Sequence, residues 1–243
     1  MGLRMENHSW NLVITRGKWL MGHSILTAIT QSADRLLLGV IMDSTTFGLF
    51  FIASQVRDFC TGFLTMVHSS MGLQVFTHFL QASTDVFRKN YYRYRLIFDA
   101  LACVGAGVLI MLAQNIVDLV FDARYGGVAE ILQILVLALV LTGPSLLRSA
   151  YSAERKFREM TYLSLLTMLT LWVGLLLCVF VFETLTGALL VIALHKLPEA
   201  LALAIMGYRR DWVRVWREFL PVVLFAAGLG LGWGLNEIWD MLL

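Results

Sequence analysis

The chain has 243 residues, 58% of them apolar and only 15% charged, with a formal charge of +2 and a mean hydropathy of +0.74. A soluble domain of this length carries about a quarter charged residues, so the composition is that of an integral membrane protein. The small net charge, spread without a massed basic patch, gives no argument for a nucleic-acid partner.

A bilayer core takes about 20 helical residues, with a range of ~17–25. Seven runs fit: Trp19–Met42, Phe47–Ser70, Leu96–Val120, Val128–Leu147, Met160–Phe182, Leu185–Met206 and Phe219–Leu235. The first run is too long for a signal peptide and lacks a small-residue cleavage site, so none is expected. Along it Ser24, Thr27, Gln31 and Asp34/Arg35 recur at steps of three and four and therefore share one face. Leu38 is expected to face lipid. The second run repeats the pattern with Ser54/Gln55, Arg57/Asp58, Thr61, Thr65 and His68/Ser69.

A charge facing lipid costs at least ~2.5–3.5 kcal/mol on insertion scales, so both stripes must look at protein or water. Two readings follow. In one, Asp34 pairs with Arg57 and Arg35 with Asp58, locking the helices together. In the other, which we carry forward, a hydrated cavity offers Arg35 and Arg57 to an anionic substrate, with Asp34 and Asp58 tuning them or coupling to an ion.

The next stretch, "MGLQVFTHFLQASTDVFRKNYYRYR", is too polar to span. It is expected to extend the second helix into the cytoplasm and end in an interfacial belt at Tyr91, Tyr92 and Tyr94, with Trp212 and Trp216 doing the same before the last run. In the fourth run "GPSLLR" predicts a kink at Pro144 and places Arg148 near the cytoplasmic end, where snorkelling would suffice. The sixth carries His195, Lys196 and Glu199 around Pro198, predicting a second kink and a Lys196–Glu199 pair one turn apart. That pair reads equally as structural or as a cavity or ion-coupling site. Gly228, Gly230, Gly232 and Gly234 give the last run overlapping small-xxx-small spacings, which predict close helix packing. Cys60, Cys103 and Cys178 lie far apart in apolar runs and read as packing residues. With no HExxH, nucleophile elbow or glycine-rich phosphate loop, neither catalysis nor a metal or cofactor is expected.

The basic residues fix an orientation. Arg4, Arg16 and Lys18 precede the first run; Arg88, Lys89, Arg93 and Arg95 follow the second; Arg148, Arg155, Lys156 and Arg158 follow the fourth; Arg209, Arg210, Arg214 and Arg217 follow the sixth. Fifteen of the 19 Lys and Arg thus fall on one side of the zigzag, which predicts a cytoplasmic N-terminus.

"RGKW" followed by "SADRLLLGVIMDSTTFGLFFIASQV" resembles the seventh and eighth helices of Wzx-type oligosaccharide flippases, polysaccharide exporters of the MATE-like superfamily. The resemblance rests on Asp34, Arg35, Gly39, Gly48, Leu49, Phe50, Ile52 and Ala53. "FDARYGGVAEILQILVLALVL" resembles the outside loop and tenth helix, and the likeness spans roughly Arg16 to Tyr151. Arg16 replaces a usual phenylalanine, no proline occurs near Phe76–Thr77, and members are about twice as long, with two six-helix lobes.

The resemblance implies an all-α polytopic transmembrane bundle, one C-terminal lobe (helices seven to twelve) plus one more helix. Its expected parts are a cytoplasmic segment 1–18, a six-helix bundle 19–206, and 207–243 as a basic interfacial segment with a short seventh span. It implies flipping of a polyprenyl-pyrophosphate-linked oligosaccharide across the bacterial inner membrane, with membrane lipids and a second six-helix lobe, from another chain or a homo-oligomer, as partners. The substrate-cavity candidates are Gln31, Asp34, Arg35, Arg57, Asp58, Arg148, Lys196 and Glu199. The alternatives are half of a small-molecule exporter of the same superfamily, and an inactive or structural membrane fragment.

Overall fold

A computed structural model of the protein describes residues 7–71 and 83–242. In chain order the helices are α1 (Asn7–Ile41), α2 (Ser44–Met71), α3 (Thr84–Asp99), α4 (Gly105–Val120), α5 (Gly127–Val140), α6 (Ser145–Ala153), α7 (Phe157–Phe180), α8 (Leu185–Leu194), α9 (Leu197–Tyr208) and α10 (Leu220–Leu242). A π-helical turn, Ala100–Val104, joins α3 to α4, and a 3-10 turn, Val215–Phe219, leads into α10. No strand occurs among the described residues.

Six helical stretches are long and apolar enough to cross a membrane: Gly17–Ile41, Thr84–Val120, Gly127–Ala153, Phe157–Phe180, Leu185–Tyr208 and Val215–Trp239. The protein is a multi-pass membrane bundle. α2, which covers the second expected run, is not among the six. Its 28 residues reach about 42 Å, ample for a bilayer, but the polar stripe through Gln55, Arg57, Asp58 and His68 lowers its hydropathy. The last run, expected to be short, is a full-length helix.

The turns follow from local chemistry. Asp43 caps α2 by accepting hydrogen bonds from the amides of Thr45 (3.1 Å) and Thr46 (3.0 Å), in a two-residue link between α1 and α2. The hydrogen bonds from Thr46, hydroxyl and amide, hold the Asp43 carboxyl below its ordinary range. Both expected kinks are present: the chain turns at Leu141–Gly143 before Pro144, and α8 stops at Leu194, ahead of Pro198 in the first turn of α9. At the first break a Cβ on Gly143 would lie 2.0 Å from Asp99 Oδ1, so only glycine fits against that carboxylate.

The stretch before the third span differs from expectation. Ser83 caps α3, accepting from the Val86 amide at 3.3 Å, so residues from Thr84 onward belong to the third spanning helix and do not extend the second. Residues 72–82, including the Phe76–Thr77 position, lie outside the described residues. Tyr91, Tyr92 and Trp212, expected in an interfacial belt, are buried; only Trp216 is largely exposed. The reason is a contact between connections. Tyr92 Oη accepts from the Arg214 amide at 2.6 Å, Trp212 packs on Phe87 and Tyr151, and Arg210 Nη1 meets Glu154 at 2.5 Å. The Thr161 hydroxyl, at the start of α7, donates to the Trp19 carbonyl at 2.7 Å. These contacts gather the basic connections at one end of the bundle. Arg95, expected in a basic loop, is buried there too: it donates to Tyr91 Oη (2.8 Å) and Asp99 Oδ2 (3.1 Å) and lies 2.6 Å from the Glu218 carboxylate.

Two of the four glycines in α10 form a seam. A Cβ on Gly228 would lie 2.6 Å from the Val104 carbonyl oxygen, and one on Gly232 would lie 2.8 Å from Met111 Cβ. Gly107 reciprocates, 2.5 Å from the Leu229 amide nitrogen. Gly230 and Gly234 face open space. The seam packs the last span directly against α4.

Gly228→Val or Gly232→Val should push α10 off α4 and cost at least about 1–3 kcal/mol, whereas Gly230→Ala should stabilise the helix by up to about 1 kcal/mol; thermal unfolding in detergent reads both. Glu154 gives a pH signature. Burial opposes its ionisation, yet Lys156 Nζ at 2.7 Å and Arg210 hold its carboxyl below the ordinary carboxylate value. A depressed acid contributes its stability above the unfolded pKa and loses it as pH falls through the folded one. Glu154→Gln should therefore lower stability by about 0.5–1 kcal/mol at pH 7, and the gap to the parent protein should close as unfolding is measured at progressively lower pH, below about 4.

Candidate functional site

α1 lies along α7 and α2 along α5, while α1 and α2 touch each other sparsely. The cleft left between these pairs is a cavity of about 650 Å³. The breaks before Pro144 and Pro198 deliver Thr142, His195 and Lys196 to its wall. All eight candidates, Gln31, Asp34, Arg35, Arg57, Asp58, Arg148, Lys196 and Glu199, line this one space.

Within it the charges are organised in two groups. Arg57 Nη2 lies 3.3 Å from Asp34 Oδ2 and 2.8 Å from Asp58 Oδ1, and Arg35 Nη2 pairs with Asp58 Oδ2. Both pairings of the neutralised alternative are therefore present, and so is the cavity beside them. Arg35 and Asp58 keep 40% and 38% of their side chains exposed, against 12% and 8% for Arg57 and Asp34. This quartet is formally neutral.

The second group departs from expectation. Glu199 turns to Arg148 (Nη2 to Oε1, 3.3 Å) and accepts from Thr167 Oγ1 at 2.7 Å; it does not pair with Lys196. Arg148, placed at the cytoplasmic end by sequence reasoning, points inward and also donates to Ser164 Oγ at 2.7 Å. The Pro144 break explains this, since it restarts the helix with Arg148 one turn in. Among the described residues Lys196 is the lining cation without a carboxylate within ion-pair distance. Four cations face three carboxylates, a formal excess of one positive charge. Two buried donors, Arg35 Nε and Arg148 Nε, have no acceptor among the described residues.

Sequence reasoning passed over Ser164 and Thr167 on α7. Thr161, Ser164 and Thr167 recur every three residues in an otherwise apolar helix, a signal of the same kind as the stripes on α1 and α2. It also left His68 without a role. His68 bridges α2 to α6 through Ser145 Oγ (3.1 Å) and Ser149 Oγ (2.7 Å), at the edge of a smaller space that shares Arg148, Lys196 and Glu199 with the main cavity. Ser24 points away, donating to the Leu20 carbonyl. Leu38, expected toward lipid, is buried in the core, and Leu36 and Val40 are the exposed neighbours.

The profile of a family described as "polysaccharide biosynthesis protein" matches residues 1–130. The chain belongs to that family. Comparison with curated proteins and with solved structures finds no match. The family match takes in α1 to α4 and the start of α5, hence the Asp34–Arg35 and Arg57–Asp58 wall of the cavity.

Cysteine placed at Thr27, Thr30 or Gln31 should react with a water-soluble thiol reagent in membranes, and cysteine at Leu36 or Val40 should not. Equal protection of the two sets would mean that water does not reach the cavity.

Proposed function

We propose that this chain forms one lobe of a flippase that carries a polyprenyl-pyrophosphate-linked oligosaccharide across the bacterial inner membrane, with its N-terminus and basic connections cytoplasmic. The observation that carries the reading is the excess positive charge of a cavity within a membrane bundle. Among the described residues Lys196 has no carboxylate within ion-pair distance, and Arg35 and Arg57 line the same space, so the cavity suits a phosphate-bearing head group. The breaks before Pro144 and Pro198 support it further, because discontinuous spans beside a mid-membrane site are the usual way such transporters expose polar backbone to cargo. Ser32 and Gln55, exposed polar groups at bilayer depth, are best covered by a second lobe, from another chain or a second copy, which would complete the alternating-access pathway. Family membership supports a role in polysaccharide biosynthesis.

A small-molecule exporter half is the second reading. It is favoured by the cavity volume, which falls in the ~300–1,000 Å³ range of small-ligand sites, and by the neutrality of the quartet.

Complementation of a flippase-null strain separates these readings. Co-expressed with a second lobe, the chain should restore surface glycan; Lys196→Gln should reduce it at least tenfold at unchanged protein level, and Lys196→Arg should retain most of it. Full activity of Lys196→Gln would remove the cationic-cavity argument, and extrusion of a dye without glycan export would favour the exporter.

A further inference from the structure

We propose that the Asp34–Arg35–Arg57–Asp58 quartet is a latch that ties α1 to α2 across the cavity, released when a diphosphate-bearing ligand draws the arginines off their carboxylates. The inference rests on the anionic-cargo reading above and assigns the quartet a role distinct from that of Lys196.

The packing shows what the quartet holds. α1 is supported along its length by α7, and α2 by α5, yet the two helices have few contacts with each other beyond their shared link at Met42–Asp43. The ion pairs Arg57–Asp34 and Arg35–Asp58 bridge that gap from side to side. Removing them would leave the cleft between two separately supported walls.

Its chemistry shows what could release it. Each arginine already spends donors on a carboxylate, so a neutral or weakly accepting ligand gains nothing by displacing one. A diphosphate presents several charged acceptors that match the guanidinium fork and can engage both arginines at once. Arg35 is the exposed member, with 40% of its side chain open beside the cleft, so a phosphate oxygen meets it first. Lys196 lines the same space with no carboxylate of the described residues within ion-pair distance, and adds attraction for the same ligand without competing for it. The Arg148–Glu199 pair is fixed by Ser164 and Thr167, so it stays closed while the quartet exchanges partners. The latch thus makes the opening of α1 from α2 conditional on cargo of sufficient charge.

The test is a distance between Ser32 on α1 and Gln55 on α2, both exposed, each replaced by spin-labelled cysteine in the full chain in nanodiscs with Cys60, Cys103 and Cys178 changed to alanine. The unliganded protein should give one short, narrow distance distribution. Inorganic pyrophosphate, and separately a polyprenyl diphosphate in the disc, should lengthen or broaden it; a response to the lipid alone identifies the carrier as the trigger and still supports the latch. Asp34→Asn with Asp58→Asn should reproduce the long distance without ligand, and Asp34→Arg with Arg57→Asp should keep the short one. A distance unmoved by either diphosphate, although pyrophosphate binds and Lys196→Gln abolishes that binding, overturns the latch and leaves the cavity reading intact. No binding of either diphosphate overturns both.

Discussion

An ionised side chain at bilayer depth must find an opposite charge or water, because hydrocarbon offers neither. This bundle meets that constraint in two ways. In α3 it is met by exclusion: Arg95 is buried among Tyr91, Asp99 and Glu218 and pins the start of the third span to the 3-10 turn before the last. Around the cleft it is met largely by pairing, where seven charged side chains face one space. The same residue types serve packing in the first place and a site in the second. What separates them is the presence of room beside the charges.

That room is a consequence of backbone breaks. α1 and α2 part from a short capped link, and two prolines interrupt the fourth and sixth runs where they border the cleft. An unbroken helix would carry Arg148 and Lys196 on faces set by helical periodicity alone. The breaks rotate them inward and let Glu199 meet an arginine on another span instead of the lysine one turn before it. Opposite the cleft, the Gly107–Gly228–Gly232 seam brings α4 and α10 to backbone contact.

The family match and the charge excess come from different parts of the chain. Residues 1–130 contribute the neutral quartet, while Arg148, Lys196 and Glu199, which supply the extra positive charge, lie beyond the matched segment. Membership in the polysaccharide biosynthesis family and the electrostatics of the cavity are therefore separate lines of support for an anionic, carbohydrate-bearing cargo.

The sequence by itself determined the class of fold and the location of most spans, because hydrophobic length and the one-sided placement of arginine and lysine depend only on local composition. It also marked the eight cavity residues, since polar side chains on an apolar helix must converge on something. It misjudged Tyr91, Tyr92, Trp212 and Arg95, which an aromatic-basic composition assigns to an interface but which connections distant in sequence bury together. Only the tertiary structure decided partners: that Glu199 takes Arg148 and leaves Lys196 unpaired, that Gly228 and Gly232 but not Gly230 and Gly234 touch a neighbour, and that the quartet is neutralised yet stands beside open space. Pairing and free volume are set by how helices cross, and no periodicity along one chain segment encodes the angle at which another will meet it.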